Sequence, residues 1–201
     1  MPKLLLATRN EAKVREYLGP LRGIPYDIVT LSDAGIDFEV EETGATLEEN
    51  ASMKAAAYAA ASGLVAFADD SGLEVDALGG EPGPLSARYA GEGATAGDLI
   101  ELLLSKLVDV PWDGRTARFR CVVAIATPHG GVEFCQGECP GIITFEPKGE
   151  GGFGYDPVFY LPELGKTMAE LSLEEKNEVS HRGRAARAAR PLLEARLGGG
   201  G

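Results

Sequence analysis

Five apolar residues, Leu64-Val65-Ala66-Phe67-Ala68, run straight into two adjacent acids, Asp69 and Asp70, followed by Ser71 and Gly72. A short apolar run of this kind is a buried strand. Two neighbouring carboxylates at the end of a buried strand are costly unless a cation or a charged partner offsets them. The fold must therefore deliver this strand to the interior and bring positive charge to where it ends. Open α/β sheets place their ligand sites at such strand ends. The alternative for the acids alone is a turn with both carboxylates solvated.

The remaining pattern sets the fold class. Residues 3–7 read as a first apolar strand. Thr8-Arg9-Asn10 is a loop, and Asn10 caps a helix over 11–18 that Gly19-Pro20 stops. Residues 26–31 are a second strand. Thr46 and Glu49 form a capping box for a long helix ending at Gly63. Residues 73–77 extend the acidic strand or pair beside it, and 79–84 are a loop. Thr95 caps a helix over 97–107. Residues 115–127 and 131–137 form a hairpin around Pro128-His129-Gly130, and 141–145 are a further strand. A glycine-rich loop covers 147–157. Ser172 and Glu175 make another capping box, and Ser180 caps a last helix over 181–197 that contains Pro191. Helices and strands alternate early and strands cluster later. This predicts a mixed α/β (α+β) domain over 1–197 with a long central mixed sheet flanked by helices. A glycine tail at 198–201 is expected to be disordered.

Charge limits the partners. The net charge of −12 repels nucleic-acid backbones, so no nucleic acid polymer is expected as a ligand. No apolar run approaches a membrane span, and no signal peptide is evident. The charge is uneven: residues 33–49 hold seven acids and no base, while 182–196 hold five arginines and one acid. The first can hold a cation and the second can hold phosphate, unless both are simply solvated faces. Three cysteines, Cys121, Cys135 and Cys139, make an odd set without a zinc pattern. Reduced thiols in a cytoplasmic protein are the expectation.

Five groups can carry chemistry. Thr8-Arg9-Asn10-Glu11-Ala12-Lys13 joins a strand to a helix start, which suits an anion, and adds a hydroxyl, an amide and an ammonium. It lacks the glycines of a P-loop. Asp69-Asp70 is the candidate magnesium ligand set, since Mg2+ prefers carboxylates plus substrate phosphates. Glu41-Glu42-Thr43-Gly44 is a second acidic pair, and Asn50 and Lys54 share a face of the next helix. Gly151-Gly152-Phe153-Gly154-Tyr155-Asp156-Pro157 allows close backbone approach, and either aromatic can stack on a base. Lys176 and Ser180-His181-Arg182-Gly183 add donors near the last helix. Each group also has an ordinary structural explanation.

Taken together and in this order, the blocks resemble the inosine triphosphate/xanthosine triphosphate pyrophosphatase family. They are Ala7–Lys13, Glu41-Glu42-Thr43-Gly44, Glu49-Asn50-Ala51 with Lys54-Ala55, Ala68-Asp69-Asp70-Ser71-Gly72-Leu73, Ser86-Ala87-Arg88-Tyr89, Gly152-Phe153-Gly154-Tyr155-Asp156-Pro157 and Ser180-His181-Arg182-Gly183. One departure is Arg9, where many relatives carry a small residue. The resemblance implies two lobes with a cleft, a homodimer, Mg2+ dependence, and hydrolysis of ITP, dITP and XTP to the monophosphate and pyrophosphate. It implies Asp70 as proton acceptor and metal ligand, with Asp69 in support and Glu41 as the other metal carboxylate. It implies substrate contacts from Thr8, Arg9, Asn10, Lys13, Lys54, Ser71, Phe153, Gly154, Tyr155, Asp156, Lys176, His181 and Arg182. His181 and Arg182 would donate to the purine 6-oxo group, where adenine presents an amino donor instead. Two rivals stand beside this reading: a haloacid-dehalogenase-like phosphatase, which would release orthophosphate, and a nucleotide-binding regulator without turnover.

Overall fold

The computed structural model describes residues 1–198. Of the tail expected at 198–201, Gly198 ends the last helix and residues 199–201 lie outside the described ones. Among the described residues there are eight strands: β1 (Lys3–Leu6), β2 (Asp27–Thr30), β3 (Val65–Val75), β4 (Pro82–Gly83), β5 (Thr116–Ala126), β6 (Val132–Ile143), β7 (Phe159–Leu161) and β8 (Lys166–Thr167). Five α-helices accompany them: α1 (Glu11–Leu18), α2 (Leu47–Ser62), α3 (Ala96–Lys106), α4 (Leu173–Val179) and α5 (His181–Gly198). The strands hydrogen-bond in the order β2-β1-β3-β5-β6-β7-β8, with β4 on β3. β1 runs parallel to β2 and β3, whereas β3–β4, β6–β7 and β7–β8 are antiparallel. This is the expected mixed α/β architecture.

The helices start where their side chains can cap them. Asn10 accepts from the N–H groups of Ala12 and Lys13 at the start of α1. Reciprocal capping boxes open α2 (Thr46 with Glu49), α3 (Thr95 with Asp98) and α4 (Ser172 with Glu175). Each satisfies backbone donors that a helix start leaves orphaned. α2 stops at Gly63, whose φ of 69° is left-handed and open to glycine at no steric cost.

The chain divides into two compact units. The first holds residues 1–70, 121–137 and those from Arg182 on; the second holds 71–120 and 138–181. In the first, the two faces of the strands build two separate cores. Leu4, Leu6, Phe67, Cys121, Val123 and Ile125 pack with Tyr17 of α1 and Ala185, Ala186, Ala189 and Leu193 of α5. Leu5, Ala66, Ala68, Val122 and Ala124 pack with Leu47, Ala51, Ala55, Tyr58 and Ala59 of α2. This is the period-two alternation of a strand covered on both sides. Within the alanine-rich run at 55–61, Ala55, Tyr58 and Ala59 are the residues that face this core.

The core of the second unit gathers Leu73 and Val75 of β3, Leu99, Leu103 and Leu107 from around α3, and Phe119, Ile143, Phe159 and Met168. Phe119 and Phe159 meet with ring centroids 4.3 Å apart.

Two expectations need correction. The acidic run is not the end of a strand, because β3 continues through Asp69 and Asp70 to Val75. The cause lies further along the chain: Leu73 and Val75 are fully buried, and Leu73 and Glu74 pair with Gly83 and Pro82 of β4. Similarly, the strand expected at 141–145 is the last part of β6, which passes through Pro140 to Ile143. No helix among the described residues is long and apolar enough to cross a membrane. All three cysteines are free thiols.

Candidate active site

Because β3 stays extended through the acids, successive side chains leave it on opposite faces. Asp69 shares the face of Phe67, toward α1 and α5. Asp70 shares the face of Ala66 and Ala68, toward α2. Two residues that look equivalent in sequence therefore sit in different surroundings, both within the first unit.

Asp69 is held by fixed positive charge. Lys13 Nζ donates to its Oδ2 at 3.0 Å, and Arg182 Nε lies 3.6 Å from the same oxygen. Arg182 in turn donates through Nη1 to the buried Glu16 of α1. Its guanidinium also lies above the Tyr17 ring, 5.9 Å from the centroid. Burial alone would raise the Asp69 carboxyl, but Lys13, Arg182 and Lys54 overcome it and hold the group well below the usual carboxylate range. Lys13, Arg182, Asp69 and Glu16 form a buried set of balanced charge. The Cys121 thiol beside them, 3.9 Å from Asp69 Oδ2, is pushed up to about 12 by burial and by that carboxylate. Asp69 Oδ1 is buried and accepts no hydrogen bond from the described residues.

Asp70 is compensated less fully. Asn50 Nδ2 donates to its Oδ2 at 3.1 Å, and Lys54 Nζ lies 3.8 Å from Oδ1. Lys54 makes its closer ion pair with Glu42. Burial is the largest influence on the Asp70 carboxyl and raises it. Lys54 opposes this, Glu42 adds to it, and the result is about 6. A buried carboxyl near neutrality, oriented by an amide, is what a general base requires.

The acidic pair of the β2–α2 connection is divided too. Glu42 turns to Lys54, while Glu41 is exposed. The sequence pointed to Glu41; the structure joins Glu42 to Lys54 and Asp70. Asn50 binds this connection as well, since its Oδ1 accepts from Gly44 N–H at 2.8 Å. On the other side, Thr8 and Asn10 form the turn before α1, with Asn10 N–H bonded to Thr8 Oγ1 at 3.2 Å. Arg9 points its guanidinium at the carbonyls of Ile36 and Phe38, at 3.3 and 2.9 Å.

The second unit carries the other residues. In the glycine-rich loop, Asp156 Oδ2 accepts from Phe153 N–H at 2.9 Å and from Lys176 Nζ at 2.6 Å. Gly152 has φ 69°, and a side chain there would collide with the Asp156 carboxylate, so only glycine closes this turn. Lys176 Nζ lies 5.0 Å from the Phe153 ring centroid. Phe153 is half-buried. Tyr155 is buried, and its hydroxyl donates to Ser86 O at 2.8 Å. Phe153 is therefore the aromatic available to stack on a base. Asp156 shapes the loop from inside. His181 is buried and stacks on Phe119 at 4.7 Å. Ser71 and Gly154 are half-buried in this unit, whereas Arg182 belongs to the first, with Asp69 and Glu16.

Glu16 was not picked out by sequence reasoning, which named Glu42 only as half of an acidic pair. Glu16 follows Lys13 by three on α1, a spacing that shares a helix face, and this was the one signal available for it.

The arrangement defines a class: a mixed α/β protein whose central strand carries one acid neutralised by Lys13 and Arg182 and one acid whose carboxyl is raised to about 6, beside a capped turn fit for anions. The model of the Ham1 family matches residues 4–192, and the chain belongs to that family. It is 52% identical over 191 residues to the dITP/XTP pyrophosphatase of Desulforamulus reducens, covering 95% of each chain. Among solved structures it is similar to a HAM1 protein from Coxiella burnetii, with TM-score 0.88 and 39% identity over 97% of this chain and 100% of that one. It is also similar to the Staphylococcus aureus Ham1 protein, with TM-score 0.83, 44% identity and 98% of each chain covered.

Proposed function

We propose that this protein hydrolyses non-standard purine nucleoside triphosphates, ITP, dITP and XTP, to the monophosphate and pyrophosphate, clearing them from the nucleotide pool. The observation that carries the reading is the unequal pair on β3: a buried Asp70 oriented by Asn50 and facing Lys54, beside an Asp69 held between Lys13 and Arg182. The relatives named dITP/XTP pyrophosphatase support it.

The residues around Asp70 fit Mg2+. Glu42 and Asp70 both face the Lys54 ammonium, which places two hard carboxylate donors beside one another. No set of three or more His, Cys, Asp or Glu able to hold a metal occurs among the described residues. Mg2+ commonly takes one or two carboxylates and completes its shell with phosphates and water. Asp70 and Glu41 would hold it, with Glu42 fixed alongside on Lys54. Bound there, the ion supplies charge neutralisation to substrate phosphate oxygens.

The chain's own groups do the rest. Asp70 takes the proton of a water attacking the α-phosphorus. Lys13 has three N–H donors and gives one to Asp69, which leaves others for the leaving pyrophosphate. Thr8, Asn10 and the start of α1 offer hydroxyl, amide and backbone donors to phosphate. Arg182 acts on Asp69, which it holds ionised. Phe153 stacks on the purine, and Lys176 and His181 complete its recognition. The same reading expects a cytoplasmic homodimer, in keeping with the free thiols.

Product analysis over ITP, dITP, XTP, GTP and ATP with Mg2+ tests the proposal. Pyrophosphate and monophosphate from the first three, with ATP poorly used, is the expected outcome. Orthophosphate as the product would favour a phosphatase, and binding without turnover a regulator.

A further inference from the structure

The β2–α2 connection carries both Glu41 and Glu42, yet residues 32–35, 37–39 and 41 of it are exposed. Ile36 and Val40 are the apolar residues of this exposed stretch that pack against the first unit's core, so polar ties share in fixing its path. Past Gly44 the capping box holds it, with Glu49 Oε2 accepting from the N–H groups of Ala45 and Thr46 at 2.6 and 3.3 Å. Asn50 holds Gly44 itself. Ahead of the acids, two side chains do the work. Tyr58 accepts from Val40 N–H at 3.3 Å, donates to Phe38 O at 3.4 Å, and stacks on the Phe38 ring with centroids 5.3 Å apart. Arg9 donates to Phe38 O and Ile36 O. The acids are therefore suspended between two anchors, one of which starts in the anion-binding turn between Thr8 and Asn10.

We infer that Arg9 is a positioning residue: it ties the phosphate turn to the acidic connection and thereby sets the affinity of the carboxylates for their divalent cation. A guanidinium turned onto two backbone carbonyls is not aimed at phosphate, so its effect on substrate passes through the connection. Its two donors converge on one strand of chain, a geometry that a lysine ammonium reproduces in part. The turn carrying Thr8 and Asn10 is then mechanically joined to the residues that hold the cation, and phosphate and cation strengthen each other's binding. The cation and phosphate roles rest on the proposed function; the tie itself does not.

The test compares wild type, Arg9→Ala and Arg9→Lys as full chains. Amide hydrogen exchange is measured without metal over residues 36–44, with β1 as the internal reference. Mn2+ binding is read by electron paramagnetic resonance, and pyrophosphate release is titrated with Mg2+. Loss of two hydrogen bonds predicts exchange about tenfold faster at 36–44 in Arg9→Ala, with β1 unchanged. The Mn2+ dissociation constant and the Mg2+ half-saturation rise in step, kcat at saturating Mg2+ stays within about twofold, and Arg9→Lys recovers part of each. Unchanged exchange at 36–44, or a fall in kcat without a change in Mg2+ half-saturation, would overturn the inference. If wild type releases no pyrophosphate, the functional reading fails, while exchange and Mn2+ binding still decide whether Arg9 positions the connection.

Discussion

The two faces of β3 in the first unit solve the same problem in opposite ways. On the α1/α5 face, Asp69 meets Lys13 and Arg182, and Glu16 balances the count. On the α2 face, Asp70 meets an amide and a lysine already paired with Glu42. Both acids are almost completely removed from water. On the first face the acid sits in a compensated ion cluster; on the second the acid is left less compensated. Burial alone does not make a carboxylate reactive; incomplete compensation does.

Breaking the compensated face should hurt the fold most. Asp69→Asn leaves Lys13 and Arg182 facing Glu16 alone, an uncompensated buried charge, and should cost about 3–5 kcal/mol of stability. Denaturant unfolding reads this directly, and a loss under about 1 kcal/mol would mean that the cluster is not what holds this face together. Removing Lys54 from the other face should act on chemistry instead. Lys54→Met is expected to lower pyrophosphate release about ten- to a hundredfold, the worth of a hydrogen bond to a charged group, with a smaller effect on the unfolding midpoint. A stability loss matching that of Asp69→Asn would erase the contrast between the faces. The smallest effect belongs to Tyr17→Phe, which removes the hydroxyl 3.4 Å from Cys121 Sγ. About 1 kcal/mol or less of stability should go, with turnover unchanged. A large loss of turnover would show that the Tyr17 hydroxyl takes part in the reaction.

Much of the fold could be read from local chemistry. The caps at Asn10, Thr46, Thr95 and Ser172 and the stop at Gly63 fall where a single side chain or a single φ decides the outcome. The length of β3 was harder, because polar residues normally end a buried strand. Here the polar pair is satisfied by side chains distant in sequence, at Lys13, Asn50, Lys54 and Arg182, and the apolar pattern resumes at Leu73. The site was legible as a set of residue types but not as a set of contacts. Glu41 and Glu42 are adjacent, and only the path of the connection decides which one reaches Lys54. Arg182 carries the donors of a purine-reading residue, yet its place beside Glu16 and Asp69 comes from the packing of α5 against α1. Arg9 was expected to contact substrate within the phosphate turn; its guanidinium instead reaches Ile36 and Phe38, a partner that no local pattern announces.

The central claim is that Asp70, not Asp69, is the reacting acid. Mg2+-dependent pyrophosphate release from ITP by Asp70→Asn, in protein shown to be folded by its unfolding transition, tests it most directly. Loss of a general base should lower turnover about 10²–10⁴-fold while stability is kept. Turnover at the wild-type rate in folded Asp70→Asn would contradict it.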